Sequence, residues 1–184
     1  MRYKHVFAIC AYKDSPYLEQ CIRSLKAQTV PSPIIICTST PSSYIDRLAW
    51  KYGLQVCVRR GESGIKDDWN FAYSMAEGEL VTIAHQDDMY HRDYSARLLA
   101  AHRRYPDMTV FTTDYVIVKQ GALITGDAML WIKRILRTPL RFPQMNDRAW
   151  VKKLAFVLGN PICCPATTYH KAVLGEPFVR SEYS

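Results

Sequence analysis

The sequence predicts an α/β fold with a Rossmann-like, mostly parallel sheet flanked by helices. Its first half alternates short apolar runs with amphipathic segments, which is the pattern of successive β-α-β units. A chain of 184 residues that is 48% hydrophobic and 22% charged has the size and composition of one globular domain. Two carboxylates follow the fourth apolar run, at the sheet edge where open parallel sheets bind their ligands. We therefore expect a single domain over residues 1–184.

Four strands are predicted in the first half, each at a short apolar run: residues 5–11, 34–37, 54–58 and 80–84. Ser15 followed by Pro16 predicts the N-cap and first turn of the helix after the first strand. The apolar faces of the first three helices are Leu18, Cys21, Ile22 and Leu25, then Ile45, Leu48, Ala49 and Tyr52, then Trp69, Ala72, Tyr73 and Ala76. Gly53 and Gly78 predict the ends of the second and third helices.

The second half is less regular. A helix is predicted at about residues 93–105 and a strand at 109–118, followed by an irregular segment that carries Trp131, Ile132, Ile135 and Leu136. Asp147 predicts the cap of a last helix, with Trp150, Leu154, Phe156 and Val157 along it. Gly159-Asn160-Pro161 predicts the end of that helix.

Composition narrows the classes of partner. The net charge of +7 is dispersed, and no aromatic and basic RNA-binding motif or zinc-finger spacing accompanies it, so no nucleic acid partner is predicted. Most of the six cysteines lie in apolar runs, which predicts reduced thiols buried in the core of a cytoplasmic protein. The apolar run near the N-terminus is too short for a signal peptide or a membrane span. The basic and aromatic stretch 131–142 could face the inner surface of a membrane, or pack within the fold.

The sequence has neither a GxGxxG motif after the first strand nor a GxxxxGK[ST] motif, which excludes the two common glycine-rich phosphate sites. A divalent cation held by carboxylates is the usual alternative for neutralising phosphates. Asp87 and Asp88, directly after the strand at 80–84, are the candidate ligands for Mg²⁺ or Mn²⁺. An ordinary surface loop with two aspartates is the competing interpretation.

Several motifs occur together in a characteristic order. They are Ile9-Cys10-Ala11-Tyr12-Lys13-Asp14-Ser15-Pro16, then Ser24-Leu25-Lys26-Ala27-Gln28-Thr29, then Asn70 followed by Ala76-Glu77-Gly78-Glu79, and last His85-Gln86-Asp87-Asp88. This order resembles the family 2 glycosyltransferases of the GT-A fold, over nearly the whole chain. The resemblance implies a nucleoside-diphosphate sugar as donor, a saccharide or lipid-linked acceptor, and a divalent metal on the donor's diphosphate.

The resemblance also assigns site residues. Cys10, Ala11 and Tyr12 would contact the base, Asp87 would hold the metal, and Asp88 would support the metal or orient the donor sugar. The other donor-binding candidates are Ser39, Lys66, Asn70, His85 and Gln86. Most have a structural alternative: Tyr12 as a surface aromatic, Lys66 as a solvated lysine, Asn70 as a partner of backbone groups, and His85 as a strand-end residue.

This sequence departs from the family pattern at three places. Thr38-Ser39-Thr40 stand where the second strand usually ends in acidic residues, and His85 stands at the first acidic position of the DxD-like motif. Segment 159–169 resembles the acceptor-side loop, but Glu176 and Glu182 do not occupy the expected place of a general base. We therefore expect the base beyond Ser184, a C-terminally incomplete domain, a nucleotide-sugar half at residues 1–90 and a partial acceptor half at 91–184.

Three functions remain open at this point. The first is an inverting, metal-dependent glycosyl transfer of the kind that builds cell-envelope polysaccharides. The second is a sugar-nucleotide nucleotidyltransferase, which normally needs a glycine-rich basic loop that Ala11-Tyr12-Lys13-Asp14 does not supply. The third is a nucleotide-sugar-binding remnant without turnover.

Overall fold

The computed structural model describes residues 3–119, 121–124, 127–146, 148–157, 159–175 and 179. The chain divides into two compact units. The first unit comprises Met1–Phe111 and Thr167–Ser184, and the second unit comprises Thr112–Ala166. The second unit is thus an insertion within the chain of the first.

Eight strands are present in the described part of the chain: β1 (Tyr3–Ala11), β2 (Ile34–Thr38), β3 (Gln55–Val58), β4 (Gly78–His85), β5 (Val110–Thr112), β6 (Ile117–Lys119), β7 (Ala122–Ile124) and β8 (Thr167–His170). Six of them form one sheet in the order β3-β2-β1-β4-β8-β5. β1 pairs in parallel with both β2 and β4, β2 pairs in parallel with β3, and β8 runs antiparallel to β4. β6 and β7 form a separate antiparallel pair in the second unit.

The helices are α1 (Leu18–Lys26), α2 (Ser43–Tyr52), α3 (Ile65–Met75), α4 (Tyr94–Arg104), α5 (Ala128–Arg137), α6 (Pro143–Asn146), α7 (Ala149–Phe156) and α8 (Lys171–Leu174), with a 3-10 helix at Thr138–Arg141. Within the described residues, no helix combines the length and the apolar character that crossing a bilayer requires. The predicted α/β class and mostly parallel sheet are confirmed.

Both faces of the sheet are covered, because successive side chains of a strand point to opposite faces. Phe7 and Ile9 of β1 belong to the core beneath α1, α2 and α4, whereas Val6 and Ala8 belong to the core beneath α3. All four side chains are essentially inaccessible to solvent. This explains why the first strand is a continuous apolar run and not an alternating one.

A row of polar side chains crosses this buried sheet. Nδ1 of His5 lies 2.8 Å from the hydroxyl of Ser32, and its Nε2 lies 2.8 Å from the hydroxyl of Thr82. The Thr82 hydroxyl lies 2.6 Å from the hydroxyl of Thr168, and the Thr168 hydroxyl lies 2.9 Å from that of Tyr94. Burial lowers the pKa of His5 to about 3, so its ring is neutral at physiological pH and supplies one donor and one acceptor. The row thereby connects β1, β4, β8 and α4.

The predicted start of the first helix is wrong. α1 begins at Leu18, and its N-cap residue Tyr17 makes no side-chain cap. Ser15 and Pro16 lie instead in a turn before the helix, where the backbone N–H of Tyr17 donates to the Ser15 hydroxyl at 3.3 Å and that of Leu18 donates to the Ser15 carbonyl at 3.2 Å. A serine can cap a turn as well as a helix, so the local signal was ambiguous.

Of the two glycines predicted to end helices, Gly53 does so and Gly78 does not. Gly53 follows α2 at φ 60°, and its N–H donates to the carbonyls of Ala49 and Trp50, as a C-cap glycine should. Gly78 does not end α3, which stops at Met75, but begins β4. A Cβ atom at Gly78 would lie 2.7 Å from the carbonyl oxygen of Leu80 and 3.0 Å from Cγ2 of Val6. Gly78 is therefore required for close packing of β4 against β1.

The second half departs further from prediction. The strand expected at residues 109–118 is two short strands, β5 and β6, which belong to different sheets and are separated by residues 113–116 without regular structure. The segment expected to be irregular is the helix α5, capped by the Asp127 side chain, which accepts from the N–H of Leu130 at 3.0 Å. Asp147 lies outside the described residues, and α7 has Arg148 at its N-cap position.

Replacing Gly78 by Ala tests the close packing of β4. We expect Gly78→Ala to lower the free energy of unfolding by about 3 kcal/mol, because the new methyl group overlaps backbone atoms that cannot move independently. Urea denaturation followed by circular dichroism measures the change. Gly64→Ala is the control, since no atom lies within 4 Å of its added Cβ and only a weaker N-cap, costing about 1 kcal/mol or less, is expected. Equal losses in the two variants would contradict this explanation.

Candidate active site

The carboxyl ends of β1, β2 and β4 bring most of the predicted site residues to one edge of the sheet. Cys10 is in register with Cys37 of β2 on one side and with His85 of β4 on the other. The residues that follow these three positions therefore emerge side by side: Ala11 and Tyr12, Thr38 to Thr40, and Gln86 to Asp88. This is the edge at which parallel sheets bind ligands.

His85, Asp87 and Asp88 form a cluster in which one candidate ligand atom of each residue lies within 4.8 Å of the others. The cluster is built by a tight turn at the end of β4, where the N–H of Asp88 donates to the carbonyl of His85 at 3.2 Å. Two carboxylates and one imidazole suit a hard divalent ion such as Mg²⁺ or, with the nitrogen ligand, Mn²⁺. The donor set of this chain therefore fits a divalent cation.

The electrostatics of the cluster also fit a cation. Burial, together with the neighbouring charge of Asp87, raises the pKa of Asp88 to about 6. Burial lowers the pKa of His85, whose ring packs against Trp69 with centroids 4.9 Å apart. Among the described residues, Nε2 of His85 has no hydrogen-bond partner although it is buried. A bound cation would compensate the carboxylate repulsion that raises the pKa of Asp88.

Gln86 contacts the loop that joins β1 to α1. Its side-chain carbonyl accepts from the N–H of Tyr12 at 2.9 Å, and its side-chain amide donates to the carbonyl of Tyr12 at 2.9 Å. The amide group of Gln86 thus pairs with the backbone of Tyr12 as the backbone of a neighbouring strand would. Sequence motifs alone placed Gln86 in the site but did not indicate this partner.

Tyr12 presents an exposed ring at the same edge, with 46% of the residue accessible. The Nζ atom of Lys13 lies 4.9 Å from the centre of this ring, and hydrogen bonding to Lys13 and Ser63 lowers the pKa of the Tyr12 hydroxyl. Lys13 itself has φ 54°, a left-handed conformation that is unusual for a lysine, and its N–H donates to Oγ1 of Thr40 at 2.7 Å. The loop is therefore held in a specific shape from the β2 side as well.

A carboxylate that sequence analysis missed lies next to Ser39. The Ser39 hydroxyl donates to Asp68 at 3.0 Å, Nε of Arg59 donates to the same carboxylate at 2.7 Å, and the N–H of Gly64 donates to it at 3.1 Å. Asp68 is in the first turn of α3, where a negative charge is favoured by the helix dipole. The Asp67-Asp68 pair at the start of a predicted helix was the available signal.

The two remaining donor-binding candidates lie on α3. Lys66 is half-buried in the first turn of the helix. The side chain of Asn70 donates to the carbonyl of Val179 at 2.9 Å and accepts from its N–H at 2.6 Å. The structural alternative for Asn70, a partner of backbone groups, is thus what the structure shows, and a role in donor binding stays a prediction.

Helix α1, together with Gln28 and Thr29 shortly after it, holds the loop between β4 and α4 in place. Sγ of Cys21 donates to the carbonyl of His85 at 3.3 Å, and the Ser24 hydroxyl accepts from the N–H of Tyr90 at 3.0 Å. Buried Gln28 donates to the carbonyl of His91 at 3.0 Å and accepts from the N–H of Ser95 at 2.9 Å. The N–H of Thr29 donates to the carbonyl of Arg92 at 2.8 Å. The Ser24 to Thr29 motif therefore has a structural function in holding this loop.

The cysteines do not all match their prediction. All six are free thiols; Cys21, Cys37 and Cys57 are buried, but Cys10, Cys163 and Cys164 are only partly covered. Burial raises the pKa of the Cys21 thiol to about 12. Glu176 and Glu182, the two late carboxylates, lie outside the described residues.

Comparison with known families gives one match over most of the chain. The model of the family described as glycosyl transferase family 2 matches residues 6–159. The comparison with curated protein sequences gives no match.

Solved structures share the fold at low sequence identity. TarS residues 1–349 from S. aureus in complex with UDP has a TM-score of 0.62 and 18% identity, covering 93% of this chain and 48% of that one. A mannosyltransferase from Pyrobaculum calidifontis with GDP-Man and Mn²⁺ has a TM-score of 0.62 and 14% identity, covering 95% and 46%. Glucosyl-3-phosphoglycerate synthase from Mycobacterium tuberculosis with Mn²⁺ and UDP-glucose has a TM-score of 0.60 and 12% identity, covering 94% and 57%. The chain spans about half the length of these proteins.

The raised pKa of Asp88 predicts a stability gain when its charge is removed. A carboxyl whose pKa is higher in the folded state stabilises the fold below pH 4, and this contribution is lost as the pH rises through about 6. We expect Asp88→Asn to stabilise the metal-free protein at pH 7.5 by about 1 kcal/mol, a discounted value because the side chain is 45% exposed.

Unfolding in urea with EDTA, at pH 4 and at pH 7.5, measures the effect. The difference between Asp88→Asn and the unsubstituted protein should be larger at pH 7.5. Asp107→Asn, which removes an exposed carboxylate elsewhere, should show no such growth with pH. A difference for Asp88→Asn that does not vary with pH would show that neither burial of the Asp88 charge nor repulsion by Asp87 causes it.

Proposed function

The chain belongs to the family 2 glycosyltransferases and has their GT-A fold, and from this we propose that it transfers a sugar from a nucleoside-diphosphate sugar to a saccharide or lipid-linked acceptor. The proposed reaction is inverting and depends on Mg²⁺ or Mn²⁺. Support for this donor class comes from the solved structures named above, whose ligands are UDP, GDP-Man and UDP-glucose.

The observation that carries the proposal is the cluster of His85, Asp87 and Asp88 at the carboxyl end of β4. Asp87 and Asp88, with His85 as a third ligand, would hold the cation beside the donor's diphosphate. When bound, such a cation neutralises the charge that develops on the leaving diphosphate. Asp88, the more buried of the two carboxylates, would also orient the donor sugar.

The nucleotide would lie along the edge formed by the first unit. The exposed ring of Tyr12 offers a stacking surface for a base, beside the backbone of Cys10 and Ala11. Ser39 supplies a hydroxyl whose carboxylate partner, Asp68, is already paired with Arg59. Lys66, in the first turn of α3, would add a cation near the diphosphate, where the helix N-terminus also favours negative charge. On this proposal, residues 1–90 form the nucleotide-sugar half and residues 91–184 form the acceptor half.

An inverting transfer also needs a base that removes the proton from the acceptor hydroxyl as it attacks the anomeric carbon. Glu176 and Glu182 lie outside the described residues, and the base is left unassigned. The activity of this chain by itself is therefore the point at which transferase and binding remnant differ.

Calorimetric titration tests the nucleotide and metal sites together. We expect UDP, GDP or dTDP to bind with a heat that requires Mn²⁺. Asp87→Ala should weaken this binding at least tenfold, roughly the loss seen even for residues outside a metal's coordination sphere. Asp107→Ala, an exposed aspartate remote in sequence from the cluster, is the matched control. The proposal is wrong if no nucleotide shows metal-dependent heat or if Asp87→Ala binds normally.

Product analysis then separates the three candidate activities. A glycosyltransferase should release free sugar slowly from its preferred donor when no acceptor is present. A binding remnant should bind the same donor and release none. A nucleotidyltransferase should instead form pyrophosphate from a nucleoside triphosphate and a sugar phosphate.

We also propose a peripheral membrane contact through α5, at the cytoplasmic side where free thiols persist. The exposed residues of this helix include Ala128, Trp131, Ile132 and Ile135, which recur at helical spacing and form one apolar face. The cationic side turns inward: Arg137 is buried and bonds Asp114 at 2.6 Å, and Arg134 bonds the same carboxylate at 2.8 Å. Residues 112–166 contain eight Lys and Arg, three Asp and no Glu, which favours an anionic surface.

Cosedimentation with vesicles containing phosphatidylglycerol tests this contact. We expect binding that weakens as salt rises and that Ile135→Asp reduces about tenfold, the loss of burying one aliphatic side chain. Val173→Asp changes a similarly exposed aliphatic residue on α8 and should have little effect. Equal binding by the two variants would argue that α5 does not face the bilayer.

A further inference from the structure

Gln86 directly precedes the candidate metal ligand Asp87, but its side chain is hydrogen-bonded to Tyr12, the candidate nucleotide-binding residue. Its side chain makes two hydrogen bonds, both with the backbone of Tyr12 and both 2.9 Å long. We propose that Gln86 is a positioning residue that couples metal binding at Asp87 to nucleotide binding at Tyr12. This inference rests on the proposed function, and it replaces the direct donor contact predicted for Gln86 by an indirect role.

The register of the sheet brings the end of β4 beside the end of β1. The ladder between β1 and β4 ends with Cys10 opposite His85. Beyond that position the two chains diverge into separate loops, one carrying Tyr12 and the other carrying Asp87. The side chain of Gln86 supplies one donor and one acceptor to the Tyr12 peptide and so extends the pairing past the last pair of residues. A primary amide has its donor and its acceptor arranged as in a peptide group, so it can pair with the N–H and the carbonyl of one residue at once.

The loop that carries Asp87 is anchored to residues that precede it in the chain. The loop from residue 86 to residue 93 is bonded to Ser24 of α1 and to Gln28 and Thr29, which follow that helix. Cys21 contacts the carbonyl of His85 at the start of the same loop. These contacts limit movement of the loop away from the sheet. A change in the position of Asp87 therefore also displaces the adjacent residue Gln86.

The loop after β1, which carries Tyr12 and Lys13, is also held in place. Tyr12 is exposed, and Lys13 next to it has a strained backbone with φ 54°. The N–H of Lys13 is bonded to Thr40, so the β2 side of this short loop is also tied down. The peptide of Tyr12 is thus held between Gln86 and Thr40, and a cation that orders Asp87 also orders the surface on which the base would stack. Ordering by one ligand then favours the other.

The test measures this coupling as the factor by which Mn²⁺ strengthens binding of the preferred nucleoside diphosphate. Calorimetry gives nucleotide affinity with and without Mn²⁺, and Mn²⁺ affinity alone. We expect Gln86→Ala to reduce the coupling factor at least fivefold, roughly the lower limit of typical coupling between sites. Affinity for Mn²⁺ alone should stay within about twofold, because neither hydrogen bond of Gln86 involves the carboxylates.

Two further variants isolate the hydrogen bonds. Gln86→Met keeps the length of the side chain and removes both bonds, so it should behave as Gln86→Ala does. Gln55→Ala removes an exposed glutamine from β3 and should leave the coupling factor unchanged. Hydrogen exchange, measured without ligands, adds an independent readout: the Tyr12 amide should exchange faster in both Gln86 variants and normally in Gln55→Ala.

The outcomes separate the two proposals. Normal coupling in Gln86→Met, or an unchanged exchange rate at Tyr12, would overturn the positioning role while leaving the glycosyltransferase proposal intact. An equal loss of nucleotide affinity with and without Mn²⁺ would show a direct contact and would also overturn it. If the unsubstituted protein shows no metal-dependent nucleotide binding, the proposed function itself fails, and the coupling role fails with it.

Discussion

The parallel pairing of β1 with both β2 and β4 is the constraint on which the rest of the structure depends. Because β1 is buried on both faces, a shift of register by one residue would exchange the two sets of core side chains, Phe7 and Ile9 against Val6 and Ala8. The register is therefore strongly specified. It places Cys10 between Cys37 and His85, and this is why three loops with no sequence relation to one another meet at a single edge. The chemistry of the site follows from the packing of the sheet.

At that edge the protein keeps an electrostatic arrangement that is unfavourable for its own stability. Asp87 and Asp88 repel each other, and burial raises the pKa of Asp88 to about 6. Two other carboxylates of the first unit are compensated: Asp68 by Arg59, and Glu79 by Lys4 at 2.7 Å. The contrast between compensated and uncompensated carboxylates identifies the cluster as a place where a positive ligand is expected.

Much of the first unit could be predicted from sequence because its signals are local and repeated. The four parallel strands, the C-cap at Gly53 and the carboxylates after β4 were all found in this way. Several of the predictions that failed depended on partners distant in the chain. Gly78 was mistaken for a helix end because the atoms that exclude its Cβ include Val6, 72 residues away. The bonds of Ser39 to Asp68 and of Gln86 to Tyr12 likewise appear only after folding. The short strands β5 and β6 have no periodicity to detect, since three residues are too few to show one.

The insertion of residues 112–166 has a consequence for how such proteins can diversify. The chain leaves the first unit once, near Thr112, and returns to it once, near Ala166. β8 then returns to pair with β4, and its Thr168 completes the buried row of hydroxyl groups that begins at His5. Mutations, deletions or exchanges between those two crossing points leave the sheet, its register and the carboxylate cluster unaltered in sequence. A gene of this kind can vary one contiguous stretch by recombination, while the sequence of the first unit and its carboxylate cluster is inherited unchanged.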